Sequence, residues 1–475
     1  MPASARLIPL IIASALFMEN MDSTVIATSL PAIAKDLGTD TIELKLAFTT
    51  YLLSLTVFIP ISGWLADRFG ARHVFRGAIL IFTLGSIACG MAASLEALVA
   101  ARALQGIGGA MMVPVGRIIL LRAIPKSELV DALAWLTIPA LIGPLVGPPV
   151  GGFITDTFGW RWIFWMNVPF GIAAIGLATA LMPETGVDKV PPLDLRGFLL
   201  SGIGLSSLVF GLTVLGRDFL PGYWPSGLVG FGSIMVIFYV LHARRVAAPI
   251  LDLKLLRIET FRAGVVGGSL FRLGVGAVPF LLPLMFQIGY GMSAFQSGLI
   301  TFMAAAGAIS MKFGAAKLIR RFGFRRLLLV NGVLASLSIS IMGLLTDTTP
   351  YAIALVLLFA GGFLRSLQFT AMNAMSYADI DNEQASYATG LYTVAQQLSL
   401  AGGVVLAAFV LEAAQWWRAE SLLVPMDFTI AFAVVAVFSL AALSQFITLS
   451  PQAGESVSGK APRPHTDVRE NPADV

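Results

Sequence analysis

Leu7-Ile-Pro-Leu-Ile-Ile-Ala-Ser-Ala-Leu-Phe-Met-Glu19-Asn-Met-Asp22-Ser-Thr-Val-Ile-Ala-Thr-Ser-Leu30 is an apolar run broken by two carboxylates. At 1.5 Å per residue a helix of this length crosses the roughly 30 Å hydrocarbon core of a bilayer. Acids inside a spanning helix are costly and mark function. The i,i+3 spacing puts Glu19 and Asp22 on one helix face. Two carboxylates on one buried face repel when both are charged, so the pair is expected to carry a proton near neutral pH. A carrier that exchanges protons needs such a group.

The rest of the chain repeats the pattern. Of its 475 residues, 57% are hydrophobic and 12% charged, against about 25% charged in soluble domains. This excludes a soluble globule. The expected spans are 8–30, 44–66, 74–93, 97–121, 130–155, 160–182, 196–215, 222–242, 261–287, 295–317, 326–345, 350–373, 388–411 and 427–447. The first run is longer than a signal-peptide core and holds two acids, so it reads as an uncleaved helix. An even count places both termini on one side of the membrane. Loops on that side hold about 21 basic residues against about 5 opposite, so both termini are expected in the cytoplasm. Trp160, Trp162, Tyr223, Trp224, Trp416 and Trp417 are expected at the opposite interface. The net charge of +4 follows from topology and implies no nucleic-acid partner.

An internal repeat divides the chain. Arg68-Phe-Gly70-Ala-Arg72 follows the second run, and Arg321-Phe-Gly323-Phe-Arg325 follows the tenth. The reading is two six-helix bundles, 1–185 and 259–449, separated by two inserted helices within 186–258, all α-helical. The polar segment 450–475 is expected to be a disordered cytoplasmic tail.

Three further stretches carry chemistry. In Gly63-Trp-Leu-Ala-Asp67-Arg68-Phe-Gly70-Ala-Arg72, Gly70 permits a turn, and Asp67 can pair with a basic group in one conformation and release it in another. An ordinary topogenic basic loop is the other reading. Arg102, with Gln105 one turn on, lies in apolar sequence. A buried guanidinium stays charged and needs a partner, for which Glu19 or Asp22 is suited; alternatively Arg102 snorkels outward. Gly143-Pro144-Leu-Val-Gly147-Pro148-Pro-Val-Gly151-Gly152 offers a smooth glycine face, and its prolines are expected to bend the helix.

Together with Asp22-Ser-Thr-Val-Ile-Ala-Thr-Ser-Leu-Pro31 and Trp160-Arg-Trp-Ile-Phe-Trp-Met-Asn167-Val-Pro169, these stretches resemble the motifs of the fourteen-helix drug:proton antiporters (EmrB/QacA type) of the major facilitator superfamily. Gln105-Gly-Ile-Gly-Gly-Ala-Met-Met-Val-Pro114-Val-Gly-Arg117 is most similar to the MdtD- and HsrA-like bacterial members. The resemblance implies a proton-coupled exporter of amphipathic small molecules, of multidrug type, in the bacterial inner membrane and functional as a monomer. By matching position it implies a proton-coupling role for Asp22 and Arg102, with Glu19 as an added acid. It makes Gly63, Asp67, Arg68, Gly70 and Arg72 the gating loop, and Gly143, Pro144, Gly147, Pro148, Gly151 and Gly152 the antiporter helix. Glu19 stands where the pattern has an uncharged residue: an added proton site, a preference for cations and a tolerated polar residue are all open.

Arg272 and Arg365 are possible cavity charges that would attract an anionic or zwitterionic substrate, or balance the two acids. Export of one native metabolite, possibly anionic, is therefore the alternative function. Lys312 is expected to snorkel. The chain has no nucleotide-binding Gly-rich loop and its three histidines are scattered, so an enzyme, a metal site and a cofactor are not expected. The partners expected are substrate, protons and lipid.

Overall fold

The apolar runs fold as helices, several of them ended where the sequence supplies a glycine, as at Gly70, Gly159 and Gly323. The computed structural model describes residues 3–39, 44–184, 190–214, 222–292, 294–419 and 422–458. In chain order the helices are α1 (Ala3–Leu37), α2 (Lys45–Phe58, continued by Ser62–Phe69), α3 (Ala71–Met91), α4 (Leu95–Ala123) and α5 (Leu129–Phe158). Next come α6 (Trp162–Leu181), α7 (Leu195–Val214), α8 (Trp224–Ala243), α9 (Glu259–Gly289) and α10 (Ala294–Lys312, continued by Ala315–Phe322). The last are α11 (Phe324–Met342), α12 (Tyr351–Ser376), α13 (Ala385–Arg418) and α14 (Pro425–Ile447). Ten of these, and the bent pairs α2 and α10, are long and apolar enough to cross a bilayer; α1 and α5 are 35 and 30 residues long. The chain is a multi-pass membrane protein. No strand occurs among the described residues.

The sequence repeat is a repeat of shape. The two pieces of α2 bend by 58° and those of α10 by 61°. Each second piece stops at a left-handed glycine, Gly70 at φ +84° and Gly323 at φ +73°, from which the next helix starts at once. A side chain at either position is strained, so the turn depends on glycine. The expected boundary at 185/186 lies outside the described residues.

Helices α1–α6 pack together, with α1 against α5, α3 against α4 and α2 against α4; α9–α14 pack likewise, with α10 against α12 and α9 against α13 and α14. The inserted pair α7–α8 pack on each other, and α7 also touches α2 and α13. The two groups meet through α13 on α4 and α2, and through α5 on α10 and α12. On the side of the amino terminus the buried apolar residues of both groups form one continuous cluster, from Ile8 through Phe75 and Tyr392 to Val457. At the opposite end they separate into a first-half cluster around Val25 and Phe164 and a second-half cluster around Leu281 and Phe432. The halves are thus joined at one end of the molecule.

Two expectations change. The tail does not begin at Ser450: residues after it turn back, a short helix forms at Glu455–Ser458, and Val457 is 1% exposed. Ser456 Oγ donates to the Ala378 carbonyl at 3.1 Å, and Gly454 packs on the Phe324 ring. The small residues there let the chain lie flat on the helix ends; residues 459–475 lie outside the described set. Trp162, Tyr223, Trp224, Trp416 and Trp417 are exposed at helix ends, but Trp160 is buried. Its indole donates to Asp36 Oδ2 at 3.0 Å, beside Arg161 at 2.6 Å. Those two bonds hold the Asp36 carboxyl below the usual carboxylate range.

Candidate functional site

Asp22 lies midway along α1, 4% exposed, and its side chain bonds to residues of other helices. Arg102 Nη1 of α4 donates to its Oδ2 at 2.6 Å. Its Oδ1 accepts from Gln105 Nε2 of α4 at 2.9 Å and from Asn167 Nδ2 of α6 at 2.8 Å. Ser86 Oγ of α3 accepts from both amides, at 2.6 and 3.1 Å. Arg102 also donates to Gln105 Oε1 at 2.6 Å, and its guanidinium stands 4.2 Å from the Tyr51 ring centroid of α2. Side chains from five helices of the first half therefore meet around one carboxylate, which itself bonds to α4 and α6. Arg102 is fully buried and does not snorkel, because Asp22 supplies the charge it needs inside. Breaking such a pair strands a buried charge, at a cost of about 3–5 kcal/mol.

Glu19 is not part of this network. Its Oε2 is buried without a hydrogen-bond partner, as are Tyr51 Oη and Arg102 Nε and Nη2. The two acids share a helix but not a role in packing.

The glycine face of α5 is pressed onto the same turns of α1. A Cβ at Gly143 would come 3.1 Å from Met21 N, and one at Gly147 would come 2.1 Å from Thr24 Oγ1. Ser29 Oγ and Thr155 Oγ1 extend the contact at 2.6 Å. Gly151 is buried. Gly152 has open space over its Cβ position and takes no part. The helix runs unbroken through the prolines; the side chains of Pro144 and Pro148 lie outside the described residues.

The loop Gly63–Arg72 stands at the joined end. Asp67 Oδ1 accepts from Arg122 Nη2 of α4 at 2.7 Å and from Ser386 Oγ of α13 at 2.6 Å, and Arg122 also donates to Ser386 Oγ at 3.0 Å. A Cβ on Gly63 would sit 2.8 Å from the Ser386 carbonyl oxygen, so the halves close only over a glycine. Lys126 Nζ donates to the Ala378 carbonyl at 2.8 Å. Arg72 binds Glu184 and the Met182 carbonyl, while Arg68 is exposed.

Arg272, Arg365 and Lys312 of the second half are buried, and among the described residues none pairs with a carboxylate. Arg272 is 0% exposed and donates to Tyr392 Oη. Arg365 is 8% exposed, its Nη1 3.6 Å from Met342 Sδ. Lys312 does not snorkel: Nζ donates inward to Thr370 Oγ1 at 2.7 Å, because the bend after it keeps it inside the bundle. None of the three lines the 540 Å³ crevice beside Pro9, Asp131, Trp135 and Arg320, or the 460 Å³ one beside Val150 and Phe302.

Partners that escaped the sequence reading include Ser86, Asn167, Arg122, Tyr51 and Ser386, and Arg117 at the seam. Asn167 and Arg117 stood inside quoted stretches without a role, and a polar residue in an apolar run was the available signal.

The model of the Major Facilitator Superfamily matches residues 12–404 and 265–471. A Klebsiella pneumoniae protein whose name, MdtD, marks it as a multidrug resistance protein is 38% identical over 412 residues, covering 86% of this chain and 87% of that one. The Escherichia coli K12 protein of the same name is 37% identical over 415 residues, with the same coverage. Among solved structures, the human organic anion transporter MFSD10 superposes with a TM-score of 0.67 at 14% identity, covering 94% of this chain and 100% of that one. The proton:xylose symporter XylE gives 0.64 at 14% identity, with 96% and 98% covered. At such identity these structures speak for the fold alone.

Proposed function

The chain belongs to the Major Facilitator Superfamily, and we propose that it is a proton-driven exporter of amphipathic small molecules. The observation that carries this reading is Asp22, an intramembrane acid whose charge holds α1, α4 and α6 together through Arg102, Gln105 and Asn167. Protonating Asp22 removes the counter-charge of Arg102 and weakens the oxygen that accepts from the two amides. The helices are then free to shift, and a substrate that stabilises the same arrangement competes with the proton. Glu19, with its unpartnered oxygen, is the second site for a proton or for a substrate cation.

Alternating access supplies the direction. The halves are closed at the end bearing Asp67, Arg122 and Ser386, and their cores part at the other. Basic loop charge makes the closed end the cytoplasmic one, so the conformation faces outward from a bacterial inner membrane, with both termini in the cytoplasm. The two bundles rock as a monomer about the seam, with α5 sliding on α1 over Gly143 and Gly147. Multidrug specificity is read from the name of the MdtD relatives.

The test is efflux of a panel of amphipathic compounds from proteoliposomes under an imposed pH gradient. Efflux that stops when an ionophore collapses the gradient supports the reading; efflux indifferent to the ionophore contradicts it. Accumulation of one metabolite in a deletion strain, with no change in drug sensitivity, would favour the native-metabolite exporter suggested by the buried second-half cations.

A further inference from the structure

Arg117 of α4 and Arg272 of α9 approach each other across the seam, and among the described residues neither pairs with a carboxylate. They are 5% and 0% exposed. Arg117 Nη1 donates to Tyr377 Oη at 3.3 Å, and Arg272 Nη2 donates to Tyr392 Oη. Both guanidinium carbons lie near one ring, at 5.2 and 4.7 Å from the Tyr392 centroid, and the two tyrosine rings are 5.6 Å apart. Three donors there have no partner: Arg117 Nε, Arg272 Nε and Arg272 Nη1.

An arginine cannot shed its proton to escape burial. Aromatic faces and phenolic oxygens offset only part of the lost hydration, and two like charges sharing one ring repel. A guanidinium is built to receive a planar or tetrahedral oxyanion through parallel N–H bonds. We propose that Arg117, Arg272, Tyr377 and Tyr392 form a binding site for an oxyanion of carboxylate or phosphate type, which bridges the two halves and stabilises the closed end. This deepens the proposed function, since the oxyanion is either the acid group of a transported substrate or a free inorganic ion. It is distinct from the Asp22 network, where the guanidinium already has its acid.

The full-length protein in lipid nanodiscs, with no proton gradient, is titrated at constant ionic strength. The probes are inorganic phosphate, 2-naphthoate and the neutral isostere 2-naphthamide, and the readout is the melting temperature. A saturable rise with phosphate or naphthoate, absent with naphthamide, is expected. Apparent affinity should fall at least tenfold in Arg117→Gln and Arg272→Gln, and stay unchanged in Lys317→Gln, an exposed cation outside the Arg117–Arg272 cluster. Where a glutamine variant does not fold, Tyr392→Phe keeps both charges and the ring, and should weaken binding several-fold. Response to naphthoate assigns the site to a substrate acid, and response to phosphate alone assigns it to a free ion. No saturable response in the wild type, or an unchanged one in the folded seam variants, overturns the proposal. The titration involves no transport, so a failure of proton-driven efflux would leave its outcome standing.

Discussion

Arg102 in the first half has a carboxylate at 2.6 Å, an amide oxygen at the same distance and the face of a tyrosine. Lys312 in the second half has one hydroxyl, Arg365 a thioether sulfur, and Arg272 a phenol and two rings. The contrast is one of charge balance. A cation–π contact is worth about 0.5–2 kcal/mol, whereas burying an ion costs several kcal/mol after relaxation. The Arg102–Asp22 pair is neutral within itself until a proton arrives, whereas Lys312, Arg365 and Arg272 carry positive charge that no carboxylate among the described residues cancels. Proton chemistry belongs to the Asp22 network of the first half, and affinity for negative charge to the second half and to Arg117, which reaches it across the seam.

The contrast can be broken most forcefully at Arg102. Arg102→Met leaves Asp22 buried without its cation and should cost about 3–5 kcal/mol of stability, while the double variant with Asp22→Asn should recover most of it. Thermal unfolding of the purified variants measures this, and additive losses would show that the two are not coupled. Arg365→Met removes a buried cation that has no acid to strand, so it should be neutral or stabilising in the same assay. A loss comparable with that of Arg102→Met would erase the distinction between the halves.

At the closed end, Gly63→Ala drives a methyl into the Ser386 carbonyl and should open the seam. The expected outcome is a loss of gradient-driven efflux of tenfold or more, with a thiol at Ser386→Cys becoming more reactive in the Gly63→Ala background. Unaltered labelling would show that the seam tolerates the methyl. The smallest effect belongs to Asp36, exposed at the far end. Its carboxyl is held low by Arg161 and Trp160, so its contribution is present above the ordinary carboxylate range and fades as pH falls through the lowered value. Asp36→Asn should change stability at pH 7 by less than about 1 kcal/mol, seen as a small shift in melting temperature.

Much of this architecture was legible in the chain because it is local. Apolar runs of bilayer length, and the shared turn at Gly70 and Gly323, need no knowledge of which helices meet. That Arg102 could find its partner on the first helix was legible for a different reason, since an intramembrane cation has few acids from which to choose, but the choice of Asp22 over Glu19 depends on packing. Asn167, Ser86 and Arg122 were not legible, since each matters only through a partner on another helix, and spacing along one strand of sequence does not say where it packs. The burial of Trp160 and of Val457 likewise depends on tertiary contacts that composition does not encode.

The central claim is that the charge on Asp22 couples proton entry to substrate exit. Its most direct measurement is substrate efflux and proton uptake, recorded together in proteoliposomes, for the wild type, Glu19→Gln, Asp22→Asn and both together. The account predicts that Asp22→Asn abolishes gradient-driven efflux while the purified protein still folds, and that Glu19→Gln alone retains part of it. Gradient-driven efflux at the wild-type rate in Asp22→Asn and in the double variant would contradict it.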